Sequence, residues 1–162
     1  MKAQAFSKQV EGLVQVGCLP LGIAEDGTTK VLLVTSRDTK RWIIPKGWPM
    51  KGRKPSEAAA QEALEEAGVI GQAARNPVGS YRYRKRREAD FNLCEVQVYE
   101  LAVRKELNNW QEKGQRERRW FTLEEAAASI EEPDLAALLR RVSRARGHVS
   151  RTRTITPAKV PV

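Results

Sequence analysis

Four glutamates, Glu57, Glu62, Glu65 and Glu66, fall between Pro55 and Ala73, a stretch without a single lysine or arginine in an otherwise strongly basic chain. On an α-helix, positions 62, 65 and 66 stand in an i, i+3, i+4 relation, so the three carboxylates project from one face. Like charges at that spacing cost a helix about 0.2–0.5 kcal/mol per pair. A divalent cation removes the repulsion. A hard ion such as Mg2+ prefers carboxylate oxygens, keeps several waters and completes its shell with substrate phosphates. The cluster therefore points to a site for a metal-bound phosphate ester. Glutamates on helices are ordinarily a solvated face, so the weight rests on what surrounds them.

What surrounds them is an ordered series of elements. A strand-like piece, Trp42-Ile43-Ile44, ends at Pro45-Lys46-Gly47, and a loop rich in Gly, Pro and Lys runs on to Lys54. A helix is expected from Pro55 or Ser56 to Ala67, rich in alanine, with Gly68 where a left-handed C-cap belongs. Upstream, the apolar runs Gly12 to Ala24 and Val31 to Ser36 flank Glu25-Asp26-Gly27, a hairpin signal. Downstream, strands are expected around Val78 to Arg84 and Phe91 to Val103, joined by the basic turn Arg84-Lys85-Arg86-Arg87. Trp120-Phe121 forms another strand-like piece before Thr122-Leu123-Glu124-Glu125, a capping-box pattern. A final amphipathic helix places Leu135, Leu138, Leu139 and Val142 on one buried face. These elements make one mixed α+β domain over residues 1–146, and residues 147–162, which include the lone histidine, His148, read as a flexible basic tail.

Composition narrows the partners. With 162 residues there is room for one domain with a proper core. Lys and Arg number 29 against 20 Asp and Glu, a formal charge of +9, so the surface attracts polyanions: nucleic acid, an anionic membrane face or a phosphate-dense small molecule. Cys18 and Cys94 lie far apart in apolar runs and read as reduced core residues, which with the absence of a Cys/His cluster argues against zinc and for the cytoplasm. No apolar run reaches membrane-spanning length.

The stretch Gly47-Trp48-Pro49-Met50-Lys51-Gly52-Arg53, continued by Gln61-Glu62-Ala63-Leu64-Glu65-Glu66-Ala67-Gly68-Val69, resembles the Nudix box, G-x5-E-x7-R-E-U-x-E-E-x-G-U, where U is apolar. The register matches without a gap. The order of elements over about residues 10 to 145 is the one the Nudix α/β/α sandwich with its mixed central sheet needs. Two positions depart from the box: Arg53 replaces its first glutamate and Gln61 its arginine. In the family those two side chains support the loop and helix as an ion pair. Their joint replacement leaves no orphaned charge but removes one carboxylate near the metals and one guanidinium that orients the glutamates. Glu57 is in the wrong register to stand in for the missing carboxylate, though an outer-sphere contact is open to it.

The resemblance implies a Mg2+-dependent hydrolase, with Mn2+ able to take the same place, that cleaves a diphosphate linkage. Glu62 becomes the candidate general base or a metal-adjacent carboxylate, and Glu62, Glu65 and Glu66 the metal-holding set. Lys46, Gly47, Lys51, Arg82, Arg84 and Arg86 are the candidate contacts to substrate phosphates, with Gly52 as a second loop glycine. The basic hairpin resembles the diphosphoinositol polyphosphate phosphohydrolase branch, while a Pro-Lys-Gly loop also occurs in diadenosine polyphosphate hydrolases, and both substrates stay open. Tyr81, Tyr83 and Trp110 could stack a nucleobase, although alternating aromatics in a strand ordinarily form one packed face. The competing class is a non-catalytic Nudix-fold module that binds RNA or another polyanion through the basic hairpin and tail. Against it, three glutamates on one helix repel phosphate unless a metal intervenes.

Overall fold

The computed structural model describes residues 13–87 and 90–150. Strand β1 (Val14–Ile23) turns back into β2 (Thr29–Thr35), antiparallel, with Leu21 opposite Val31. The turn closes where the Asp26 carboxylate accepts the Thr28 N–H at 2.9 Å. The short β3 (Trp42–Ile43) pairs with β2, and β4 (Lys46–Gly47) pairs with β1 opposite Val16 and Gly17. Helix α1 (Pro55–Ala67) leads into β5 (Val69–Ala73), followed by β6 (Gly79–Arg87), the long β7 (Asp90–Glu106) and β8 (Arg118–Thr122). Helices α2 (Leu123–Ser129) and α3 (Pro133–Ser150) close the chain. The strands form one sheet in the order β3-β2-β1-β7-β5, with β4 on β1, β6 on β7 and β8 on β2. The β1–β7 pair is parallel and its neighbours antiparallel, so the sheet is mixed.

Alternation along the strands divides the core in two. Leu19, Leu21, Val31, Leu33, Val96 and Val98 face α2 and α3, while Val16, Cys18, Leu32, Val34, Leu101 and Val103 face α1. The layers are therefore helix, sheet, helix: the α/β/α sandwich expected from the sequence. Leu135, Leu138, Leu139 and Val142 are all buried on α3, and Cys18 and Cys94 are buried free thiols. Among the described residues no helix is long and apolar enough to cross a membrane.

The caps explain the helix boundaries. Pro55 sits in the first turn of α1, where its missing N–H is no loss, and the Glu57 carboxylate accepts the Lys54 N–H at 2.9 Å. Glu57 is thus spent on capping, away from the other three glutamates. Gly68 ends α1 at φ 68°, a left-handed conformation that its lack of a Cβ permits, and its N–H reaches the Leu64 carbonyl at 3.1 Å. At α2, Thr122 Oγ1 accepts the Glu125 N–H and the Glu125 carboxylate accepts the Thr122 N–H, both at 3.0 Å.

Several segments differ from the sequence expectation. Arg84-Lys85-Arg86-Arg87 is the end of strand β6, paired with Leu93 through Asp90, and no turn. Lys46-Gly47, expected in a loop, is the strand β4, and Val69–Ala73 is a strand that follows the helix stop directly. Helix α3 extends through Ser150, four residues into the stretch assigned to the tail, and the tail from residue 151 onward lies outside the described residues.

Candidate functional site

Helix α1 brings its glutamates to the sheet where β4 pairs with β1. Gly47 and Glu62 approach closely: a Cβ at Gly47 would overlap the Glu62 carboxylate and push it from its present position. Glu62 and Glu66, one turn apart, meet side chain to side chain. Burial, then the Glu66 charge and hydrogen bond, push the Glu62 carboxyl up to about 8, with smaller contributions from Glu65 and Glu112. Glu66 is 6% exposed, and burial raises its proton affinity against the opposing pull of Arg116 and Lys46. Its Oε1 accepts the Lys46 backbone N–H at 3.4 Å, and its Oε2 lies 3.7 Å from Arg116 Nη2. Two carboxylates in contact cannot both ionise without a proton or a cation between them.

Glu65 is engaged by a neighbour on its own helix. Its Oε2 accepts a hydrogen bond from Gln61 Nε2 at 2.7 Å, and Gln61 Oε1 accepts one from Arg53 Nη1 at 3.3 Å. The two residues that depart from the Nudix box therefore touch each other, and the amide of Gln61 passes the link on to Glu65.

Above Glu62 and Glu66 opens a cleft of about 480 Å3, also lined by Arg37, Arg41, Lys46, Arg84, Lys85 and Arg116. An acidic floor beneath basic walls suits an ion at the bottom and phosphates above it. Lys46 is partly buried, its loss of solvent lowers its proton affinity, and its ammonium lies 4.8 Å over the Tyr83 ring. Tyr83 in turn donates its hydroxyl to Gln15 Oε1 at 2.6 Å. Of the other expected phosphate contacts, Arg84 lines the cleft, Lys51 is exposed outside it, and Arg82 points away to pair with Glu95 at 3.5 Å. The side chain of Arg86 lies outside the described residues. Tyr81 is core, and Trp110 donates its indole N–H to the Glu66 carbonyl at 3.1 Å beneath the Arg118 guanidinium, so neither is free to stack a base.

Sequence reasoning missed Arg116 and Glu112. Arg116 donates Nε to Glu112 Oε1 at 2.7 Å and Nη1 to the Thr35 carbonyl at 3.0 Å, with its side chain 8% exposed against Glu66. No local pattern signals this, because the partners come from the loop after β7, from β2 and from α1. Arg37 and Arg41, in the turn between β2 and β3, were equally silent, although their charge in a short connecting loop was visible.

Among the described residues no three His, Cys, Asp or Glu side chains converge into a ready cage. The donor chemistry still fits Mg2+, which uses one or two carboxylates and leaves the rest of its shell to water and substrate oxygens. The contacting Glu62 and Glu66 carboxyls offer hard oxygen donors whose mutual repulsion a cation relieves.

The NUDIX domain model matches residues 16–143, most of the chain. The chain belongs to the Nudix family. Nudix hydrolases are pyrophosphohydrolases that act on phosphoric anhydrides. Nudix hydrolase 16, mitochondrial, of Arabidopsis thaliana is 35% identical over 130 residues, 72% of this chain and 72% of that protein. Diphosphoinositol polyphosphate phosphohydrolase 2 of Rattus norvegicus is 36% identical over 100 residues, 60% of this chain, which spans only 52% of that relative's length. A C. elegans Ap4A hydrolase binary complex superimposes with a TM-score of 0.62 over 84% of this chain and 98% of the other. At 20% identity this last likeness shows the fold alone.

Proposed function

We propose that the protein is a Mg2+-dependent hydrolase that cleaves a diphosphate linkage in a phosphate-rich small molecule, either a diphosphoinositol polyphosphate or a dinucleoside polyphosphate. The observation that carries this reading is the Glu62–Glu66 pair at the floor of a cleft whose walls are lysine and arginine. Glu62 and Glu66 would hold the ion, with Glu65 steadied beside them by Gln61. When bound, Mg2+ polarises phosphoryl oxygens and lowers the pKa of bound water. Glu62, once a bound cation has displaced the proton it shares with Glu66, would serve as the general base or as a carboxylate adjacent to the metal. Lys46, Arg84 and Lys85 orient the substrate by neutralising the phosphates not undergoing attack. Mn2+ would fill the same role with the same oxygen donors. The buried free thiols of Cys18 and Cys94 favour a reducing compartment, and we place the protein in the cytoplasm.

The test is product release from diphosphoinositol phosphates, dinucleoside polyphosphates, nucleotide sugars and nucleoside triphosphates, with Mg2+ and with chelator, for wild type and Glu66→Gln. Turnover that requires the metal and disappears in the variant supports the enzyme. Absence of turnover throughout, together with salt-sensitive RNA binding, would assign the fold to a polyanion-binding module instead.

A further inference from the structure

We infer that Trp48 is a nucleobase shelf at the mouth of the cleft, which makes the substrate a nucleotide-bearing polyphosphate. This deepens the hydrolase reading and rests on it. Trp48 is 45% exposed, one of two large apolar side chains left open among the described residues. It lines the same cleft as Glu62 and Glu66 and follows Gly47, the residue that touches Glu62.

The other tryptophans are used inside the fold. Trp42 packs edge-on against Phe121 at 5.0 Å, and Trp110 and Trp120 donate their indole N–H groups to the Glu66 carbonyl and to Glu106 Oε2. Trp48 instead lines the cleft with a large, partly exposed indole, among a lining that is mostly charged and polar.

Charge complementarity selects the occupant. Lys85 Nζ lies 5.9 Å over one face of the Trp48 ring, so an ammonium is held close to a partly exposed π-surface. A nucleotide matches that pair with its base and its phosphate. Every base has a π-face, and stacking on an aromatic side chain is tolerant of which base it is. A fully phosphorylated polyol ring has no π-face and carries charge around its edge, so it would use Lys85 and leave the indole in water.

Two non-hydrolysable probes separate the ring from the phosphate: adenosine 5′-(α,β-methylene)diphosphate and methylenediphosphonate, which share the phosphonate group and differ by the nucleoside. With Mg2+ present, the nucleotide probe is expected to bind wild type at least tenfold more tightly than the bare diphosphonate and to quench tryptophan emission. Trp48→Ala should weaken the nucleotide probe about tenfold and the bare probe less than about twofold. Trp48→Phe, which keeps a ring, should restore most of the nucleotide affinity, which also excludes a loop collapse in the alanine variant. For diadenosine tetraphosphate, Trp48→Ala should raise KM with little change in kcat, the mark of uniform binding.

Equal weakening of both probes by Trp48→Ala would overturn the shelf, since the residue would then only support the loop. So would a wild type that binds the two probes equally, in which case the hydrolase reading stands with a substrate that lacks a base. Failure of wild type to bind either probe with Mg2+ would bring down the hydrolase reading itself, and the shelf with it.

Discussion

Helices α1 and α3 cover opposite faces of one sheet with different residues. On α3 the buried face is Leu135, Leu138, Leu139 and Val142; on α1 it is Ala58, Ala59, Ala63 and Ala67. Each large aliphatic side chain contributes about 1.5–3 kcal/mol on burial, and an alanine methyl far less. The α1 face thus gains little from packing, while the same helix carries the Glu62–Glu66 repulsion and a buried Glu66. What the small residues give in return is proximity: with only methyl groups on its own buried face, α1 lies close enough to the sheet for Glu62 to reach Gly47. One face of the sheet is built for stability and the other for a site.

That division predicts separable effects. Glu62→Gln should lower kcat/KM by about 10²–10⁴-fold, the range for loss of a general base, while the metal-free melting temperature holds or rises because the carboxylate repulsion is gone. Leu139→Ala should do the reverse. A cavity at a fully buried leucine costs about 2–5 kcal/mol, read by denaturant unfolding, with kcat/KM per folded molecule unchanged. If Leu139→Ala alters kcat/KM where the protein is fully folded, the two faces are coupled and the comparison fails.

Ala63→Leu tests the proximity argument from the other side. Ala63 is completely buried, so the added atoms meet a filled core and cost about 1–3 kcal/mol. Because the helix can relieve this only by moving off the sheet, activity should fall together with stability. A variant that loses stability but keeps full kcat/KM would show that the close packing of α1 is not what positions the glutamates.

How much of this was legible follows from the range over which each signal acts. Helix α1, its Gly68 stop and the box register depend on residues within a few turns of one another, and local pattern exposes them. The α3 leucines and the Thr122 cap were equally readable. Strand β4 was not, because two residues carry no periodicity and Lys46-Gly47 resembles loop chemistry. The run Arg84 to Arg87 looked like a turn because charge run and turn share a composition, and only pairing with Leu93 to Asp90 reveals the strand. The same limit hid Arg116: its contacts with Glu66 and Thr35 span long stretches of sequence, and a conserved-looking motif on one helix says nothing of a cation supplied from a distant loop.

The smallest expected effect is on pH dependence, and it belongs to the α1 face alone. The folded Glu62 carboxyl is pushed from its ordinary 4.5 up to about 8, so between those values the native state keeps a proton that the unfolded chain has released. The folded state then binds more protons, and stability falls as pH rises through that window. Glu66, also raised, acts with the same sign. Asp26 and Glu125 are lowered, so their contributions change only at more acid pH. Because Glu62 is only partly buried, solvent screening reduces the effect to roughly 1 kcal/mol, which for a chain of this size moves the melting temperature by about 2–4 °C. Metal-free wild type should therefore melt about that much lower at pH 8 than at pH 5.5. Leu139→Ala should shift the whole profile downward without changing its slope, whereas Glu62→Gln should flatten it. Saturating Mg2+ at pH 8 should restore the lost stability, because an ion that binds only the folded carboxylates stabilises them by mass action. A slope that survives undiminished in Glu62→Gln would place the proton on a group other than Glu62.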